Sequence, residues 1–141
     1  MIYEVNVKGV VRVTEAVSPN MIERRYGKIV NISSGTVLTG TPKFAHYVTS
    51  KAAVIGLTRC IAREVGEWNI CINAVAPGLT LSLDDVDDAG MKQYEQRSQA
   101  GCIKKVETPQ DLVGTIVFLS SAESDFITGQ TIAVNGGSSM I

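Results

Sequence analysis

Three short apolar runs set between longer helical stretches predict an α/β protein, with a parallel sheet of about three strands flanked by helices. The runs are residues 28–33 (KIVNIS), 69–76 (NICINAVA) and 131–134 (TIAV). Near-continuous apolar runs suit strands covered on both faces of a parallel sheet. The chain has 141 residues, 45% of them hydrophobic, and 13 basic side chains balance 14 acidic ones, which reads as one globular unit.

Residues 3–24 place Val7, Val10, Val11 and Val13 among polar side chains, a pattern compatible with a helix despite its β-branching. Pro19 is expected to kink or restart that helix late in its course. Tyr26 and Gly27 form a turn into strand 28–33. Residues 35–46, rich in Gly and Thr and containing Pro42, then form a loop, and loops of this length are more often functional than ornamental. The clearest helix runs from about residue 47 to 67. Its apolar positions, Ala52, Ala53, Ile55, Leu57, Cys60, Ile61, Ala62 and Val65, spread over most of the circumference, more than one sheet contact requires. It is expected to pack on the sheet inside and, through small Ala52, Ala53 and Gly56, on a partner subunit outside. The alternative is burial within its own subunit.

Pro77 and Gly78 stop the second strand sharply. A polar loop follows, with a short helix around residues 91–98. Thr108 and Pro109 supply a cap and a first-turn proline for a helix to about residue 121. Asn135, Gly136 and Gly137 close the third strand. No helix follows that glycine pair, so it is not read as a phosphate cradle.

One stretch carries chemistry. Tyr47 and Lys51 are four residues apart, which on a helix puts both side chains on one face. A lysine charge beside a phenol favours the phenolate, making Tyr47 a usable general acid or base. Ser34 stands where strand 28–33 ends, at the edge where sites open in an α/β sheet, and its hydroxyl can hold a substrate oxygen. Such a Tyr/Lys pair arises by chance in many helices, so its spacing alone is weak.

The surrounding text is specific. NISS before the pair, SKAAVIGLTRCIARE around and after it, then INAVAPG and FITGQTIAVNGG, in that order, resemble the second half of a short-chain dehydrogenase/reductase. The resemblance covers essentially the whole chain. It implies a partial Rossmann-like three-layer fold, with residues 1–141 the C-terminal catalytic half of a single domain whose N-terminal dinucleotide-binding half is absent. It implies NAD or NADP as cofactor and a small-molecule alcohol or carbonyl as substrate. Asn6, Ser34, Tyr47 and Lys51 match the family's catalytic set. Asn6 would support a water relay to the lysine. Lys51 would also bind the nicotinamide ribose, with Tyr47 beside it. Pro77, Gly78, Thr80 and Ser82 match the cofactor segment, the Thr80 backbone meeting the carboxamide and the Ser82 hydroxyl lying near the pyrophosphate. Helices 3–24 and 47–67 match a four-helix contact in a homodimer or homotetramer.

Substrate class stays open between small cyclic or aromatic alcohols and 3-oxoacyl thioesters. Enoyl reductases of the superfamily set the tyrosine and lysine farther apart, and sugar epimerases carry a longer substrate domain. A glycine-rich strand-turn-helix to hold the pyrophosphate is missing, so strand 28–33 is expected to show a bare edge and the isolated chain to be inactive. The rival reading is a non-catalytic oligomerisation module or truncated variant.

Composition excludes other classes. A net charge of −1 offers no footprint for nucleic acid. Three scattered cysteines without a CxxC pair point to a reducing cytoplasm, with Cys60 and Cys71 expected in the core and Cys102 in a less regular region. No apolar run is long enough to span a membrane, and the start lacks a signal-peptide layout. Asp84, Asp85, Asp87 and Asp88 lack the glycine and terminal glutamate of a calcium loop, so no metal is expected.

Overall fold

The computed structural model describes residues 1–81 and 86–140. Its first helix opens with a π-helical turn over Glu4–Lys8 and continues as α1, Gly9–Glu23. Then come β1 (Gly27–Ile32), α2 (Thr36–Thr39), α3 (Ala45–Val65), β2 (Ile70–Pro77), α4 (Asp88–Ser98), α5 (Pro109–Ser120) and β3 (Thr131–Val134). The strands are parallel in the order β1-β2-β3, with Gly27 opposite Ile70 and Ala74 opposite Thr131.

Alternate strand residues point to opposite faces, and two hydrogen bonds from β1 show what covers each. Asn31 Nδ2 donates to Thr58 Oγ1 of α3 at 3.0 Å, whereas Lys28 Nζ donates to Ser124 Oγ, just past α5, at 3.1 Å. The result is three layers. On the α1/α3 side Ala62, Val65, Ile70 and Ile72 form the buried cluster, with Met21, Ile22, Ile29, Ile61 and Trp68 packed around it. The central strand β2 is buried from Ile70 to Ala76. Helix α3 turns Ser50, Val54, Thr58, Ala62 and Val65 inward, positions three or four apart along one face. Ser50 and Thr58 tolerate burial because each hydroxyl donates to a carbonyl of its own helix, Tyr47 O at 2.7 Å and Val54 O at 2.8 Å.

Several expectations need correction. Helix α1 passes through Pro19 without a break; Pro19 and Glu15, whose carbonyl it cannot bond, are both exposed. The stretch 35–46 contains the short helix α2, ended by Gly40 at φ 66°. Helix α3 begins at Ala45, ahead of Tyr47. Cys60 is exposed on its outer face, and only Cys71 of the predicted core pair is buried. Strand β1 is not covered throughout, since Ile32 is 43% exposed. Among the described residues β1 pairs only with β2, leaving its other edge bare as expected. Asp87, weighed as part of an acidic loop, caps α4 by accepting from Gly90 N at 2.8 Å. Asp84 and Asp85 lie outside the described residues.

Helix α5 starts at the predicted Thr108-Pro109 cap, and Asp111 accepts from both the N–H (2.8 Å) and the hydroxyl (2.9 Å) of Thr108. The Lys105 ammonium, then these Thr108 bonds, hold the Asp111 carboxyl at about 2, below its usual 3.8. A depressed carboxylate stabilises the fold above its unfolded pKa and loses that contribution as pH falls through the folded one. The Asp111→Asn variant should therefore melt earlier than wild type at neutral pH, with the gap closing as pH falls from about 4 towards about 2. A pH-independent gap in melting temperature would contradict this assignment.

Candidate active site

Ser34, buried just past the end of β1, accepts hydrogen bonds at Oγ from the hydroxyl (3.0 Å) and N–H (3.3 Å) of Thr36. A hydroxyl has two acceptor sites and one proton, so these contacts leave Ser34 its proton to donate. The turn is pinned on both sides. Ser33 Oγ donates to Lys51 O at 2.9 Å, and Gly35 N donates to Pro77 O at 2.7 Å. A Cβ on Gly35 would sit 3.1 Å from that same carbonyl, so a glycine suits the approach of the two strand exits.

Because α3 starts at Ala45, Tyr47 stands in its first turn and Lys51 in the next. Lys51 Nζ donates to Ile32 O at 2.9 Å and lies 5.9 Å from the centroid of the Tyr47 ring. That bond carries the ammonium to the strand end that holds Ser34. Burial lowers the Lys51 pKa from the ordinary lysine value. Asn6 sits within the π-helical turn, a distortion frequent at functional sites. Its Nδ2 donates to Ser50 Oγ at 3.1 Å, and Ser50 Oγ donates to Tyr47 O. Tyr3 and Thr49 hydrogen-bond through their hydroxyls, a second tie between the first helix and α3.

The structure thus brings Lys51, with the Tyr47 ring beside it, to the C-terminal end of β1 two residues before Ser34, the end at which open α/β sheets receive their ligands, with Asn6 attached through Ser50. Pro77 and Gly78 end β2 alongside, joined to the Ser34 turn by the Gly35 bond. Ser82 lies outside the described residues. Thr80 is held by a residue that sequence reasoning missed: Glu107 Oε1 accepts from Thr80 Oγ1 at 2.7 Å and Oε2 from Gly78 N at 3.1 Å. Glu107 also lines a cavity of about 240 Å³ with Leu79, Tyr94, Arg97 and Val134. Nothing local in the sequence marks it, since an acid one residue before a helix cap is ordinary. Among the described residues no His, Cys, Asp and Glu groups could hold a metal, and no helix is long and apolar enough to cross a membrane.

A family model described as enoyl-(acyl carrier protein) reductase, of the short-chain dehydrogenase type, matches residues 1–139. The chain belongs to the short-chain dehydrogenase/reductase family. Among curated short-chain dehydrogenases/reductases it is 39% identical over 142 residues to a 3-oxoacyl-[acyl-carrier-protein] reductase FabG of Staphylococcus epidermidis, covering 96% of this chain and 55% of that one. A crystal structure of a 3-oxoacyl-[acyl-carrier protein] reductase with bound NAD from Brucella melitensis superposes with a TM-score of 0.82 at 33% identity, covering 97% of this chain and 50% of the other. The structure of ElxO with NADP bound gives 0.87 at 36% identity, with 94% and 54% covered. The chain therefore spans about half the length of the short-chain dehydrogenases/reductases it matches, and it shares their Rossmann-type layering of helices on a parallel sheet.

Proposed function

We propose that these residues form the catalytic half of an NAD(P)-dependent reductase that interconverts a carbonyl and an alcohol, with 3-oxoacyl thioesters the favoured substrate class. The observation that carries this reading is the Lys51 ammonium at the Ile32 carbonyl, which joins the Tyr47 helix to the strand end bearing Ser34. The donor set fits a nicotinamide nucleotide: Lys51 offers a cation to ribose hydroxyls, and residues 77–80 offer backbone at the neighbouring strand exit. When bound, the nicotinamide supplies or accepts the hydride.

In the reducing direction Ser34 donates its proton as a hydrogen bond to the carbonyl oxygen, fixing the substrate. Tyr47 then gives its phenolic proton to that oxygen as the carbonyl carbon gains the hydride. The positive charge of Lys51 offsets the negative charge developing on the Tyr47 oxygen. Asn6, through the π-helical turn, supports the path by which the proton is restored. The relatives favour 3-oxoacyl thioesters over the simple cyclic alcohols also considered. The four-residue Tyr47/Lys51 spacing favours carbonyl over enoyl reduction. A pyrophosphate cradle is expected from sequence outside these 141 residues.

The decisive assay joins this chain to an N-terminal nucleotide-binding half and follows oxidation of NADH or NADPH with a 3-oxoacyl thioester. Turnover is expected. A completed protein that binds reduced nucleotide yet leaves the thioester and simple ketones unreduced would overturn the reading. The Lys51→Met variant of that protein should lose about 10²–10³-fold in kcat, and unchanged kcat would remove Lys51 from its role.

An oligomerisation role is supported by the outer face of α3, where Thr49, Ala52, Gly56 and Cys60 are exposed and mostly small, allowing a second helix to come close. We infer that this face joins two copies, as homodimer or homotetramer. Sedimentation of the isolated chain tests this, and a monomer at all concentrations would refute it. Dimers that bind no nucleotide would favour a purely assembling role for the isolated polypeptide.

A further inference from the structure

We propose that Glu107 is a positioning residue of this site, a two-armed carboxylate clamp that sets the exit of β2 against both the nicotinamide-facing backbone and the turn carrying Ser34. The ligand it serves rests on the reductase reading above. The clamp itself rests on geometry. Oε2 takes the Gly78 N–H and Oε1 the Thr80 hydroxyl. Main chain reinforces side chain, because Thr80 and Glu107 form a parallel bridge and Leu81 N donates to Glu107 O at 2.8 Å. One residue thus holds three positions of the segment leaving β2.

The link to Ser34 follows from the planarity of a peptide. The Gly78 N–H gripped by Glu107 belongs to the same rigid unit as the Pro77 carbonyl, and that carbonyl accepts from Gly35 N at 2.7 Å. Gly35 is the residue after Ser34. Rotating the 77–78 peptide to release the carboxylate would swing the carbonyl off Gly35. The Gly78 N–H is shared with Val134 O at 3.1 Å, which ties the same unit to β3. A Cβ on Gly78 would lie 2.5 Å from Glu107 Oε2, so the carboxylate occupies the space a side chain would take.

A carboxylate is suited to the task because it only accepts. Both Gly78 and Thr80 must donate to it, which fixes the Thr80 hydroxyl with its lone pairs turned away. The charged or titratable groups around it are Asp111, Lys105, Arg97 and Tyr94, which line the same cavity, and Asp111 is already paired with Lys105. Burial raises the Glu107 pKa above 4.5, against the opposing pull of the Thr80 and Gly78 hydrogen bonds, with Asp111 adding to the rise.

Amide resonances read the clamp without any ligand. The Gly78 N–H should titrate in one step above 4.5 as Glu107 loses its proton. Asp111, at about 2, titrates too low to produce that step. In the Glu107→Gln variant the step should vanish. In Glu107→Ala both Gly78 and Gly35 should shift at neutral pH. Thr80→Val, which removes one arm alone, should move Gly78 less and serves if Glu107→Ala fails to fold. Reduced nicotinamide mononucleotide is the binding probe. Its affinity should fall about tenfold in Glu107→Ala, with Glu107→Gln recovering part of the loss, a change on the scale of one lost hydrogen bond.

A Gly35 resonance that ignores Glu107→Ala while Gly78 moves would overturn the link to Ser34. Equal probe affinity in wild type and Glu107→Ala would overturn the positioning role. If the amide shifts behave as stated but no protein in the series, once completed by a nucleotide-binding half, binds the mononucleotide, the clamp stands and the reductase reading is what fails.

Discussion

Replacing Tyr47 with Phe, in a protein completed by a nucleotide-binding half, should lower kcat by about 10²–10⁴-fold, the usual contribution of a positioned acid or base. The change removes one oxygen and its proton while keeping the ring, so the contacts that place α3 survive. Ser50 still donates to the residue 47 carbonyl, and Lys51 still reaches Ile32 O, because neither bond uses the phenol. Cofactor affinity should therefore change little, and the loss should fall on kcat. Stopped-flow measurement of nucleotide oxidation beside equilibrium nucleotide titration separates the two. Wild-type turnover in the variant would exclude Tyr47 as the proton carrier. A parallel loss of nucleotide affinity would point instead to a collapsed site.

The largest stability effect should come from Ile72→Ala. Ile72 is fully buried on the central strand and belongs to the cluster that locks β2 beneath α3. Truncating such a side chain destabilises by about 2–5 kcal/mol, through lost apolar transfer and the cavity left behind. Small domains have only about 5–15 kcal/mol in total, and a three-stranded sheet has few other contacts across which to spread the damage. Urea unfolding should show the midpoint falling sharply. Val113→Ala on α5, at a position 52% exposed, should change stability by less than about 0.5 kcal/mol. Comparable losses in the two variants would mean that the core is not where the structure puts it.

Local patterns made most of the architecture legible. The three apolar runs became the three strands within about a residue or two, and Thr108-Pro109 opened α5 because cap chemistry is written in adjacent residues. The Tyr47/Lys51 pair was readable for the same reason, since helical spacing alone puts the two side chains together. What escaped depends on contacts far apart in sequence. Glu107 meets Gly78 and Thr80 across 29 and 27 positions, and no local rule joins them. The π-helical turn at Asn6 was hidden because hydrophobic periodicity does not distinguish one widened turn. Cys60 was misplaced for a related reason. Apolar side chains on most of α3 show that two faces need cover, but not which residue meets the sheet. Pro19 was given too much weight, as an exposed helix face near a terminus tolerates a missing N–H.

The unpaired side of β1 bears on how this polypeptide behaves at high concentration. Its backbone groups on that side, among the described residues, bond to no other strand, and apolar Val5, Val13 and Ile32 stand exposed along the neighbouring groove. A sheet margin of this kind is a template for intermolecular pairing. As its concentration rises, the isolated chain should add larger associated species to any defined oligomer in sedimentation, and Ile32→Lys should suppress them as a gatekeeper against edge pairing.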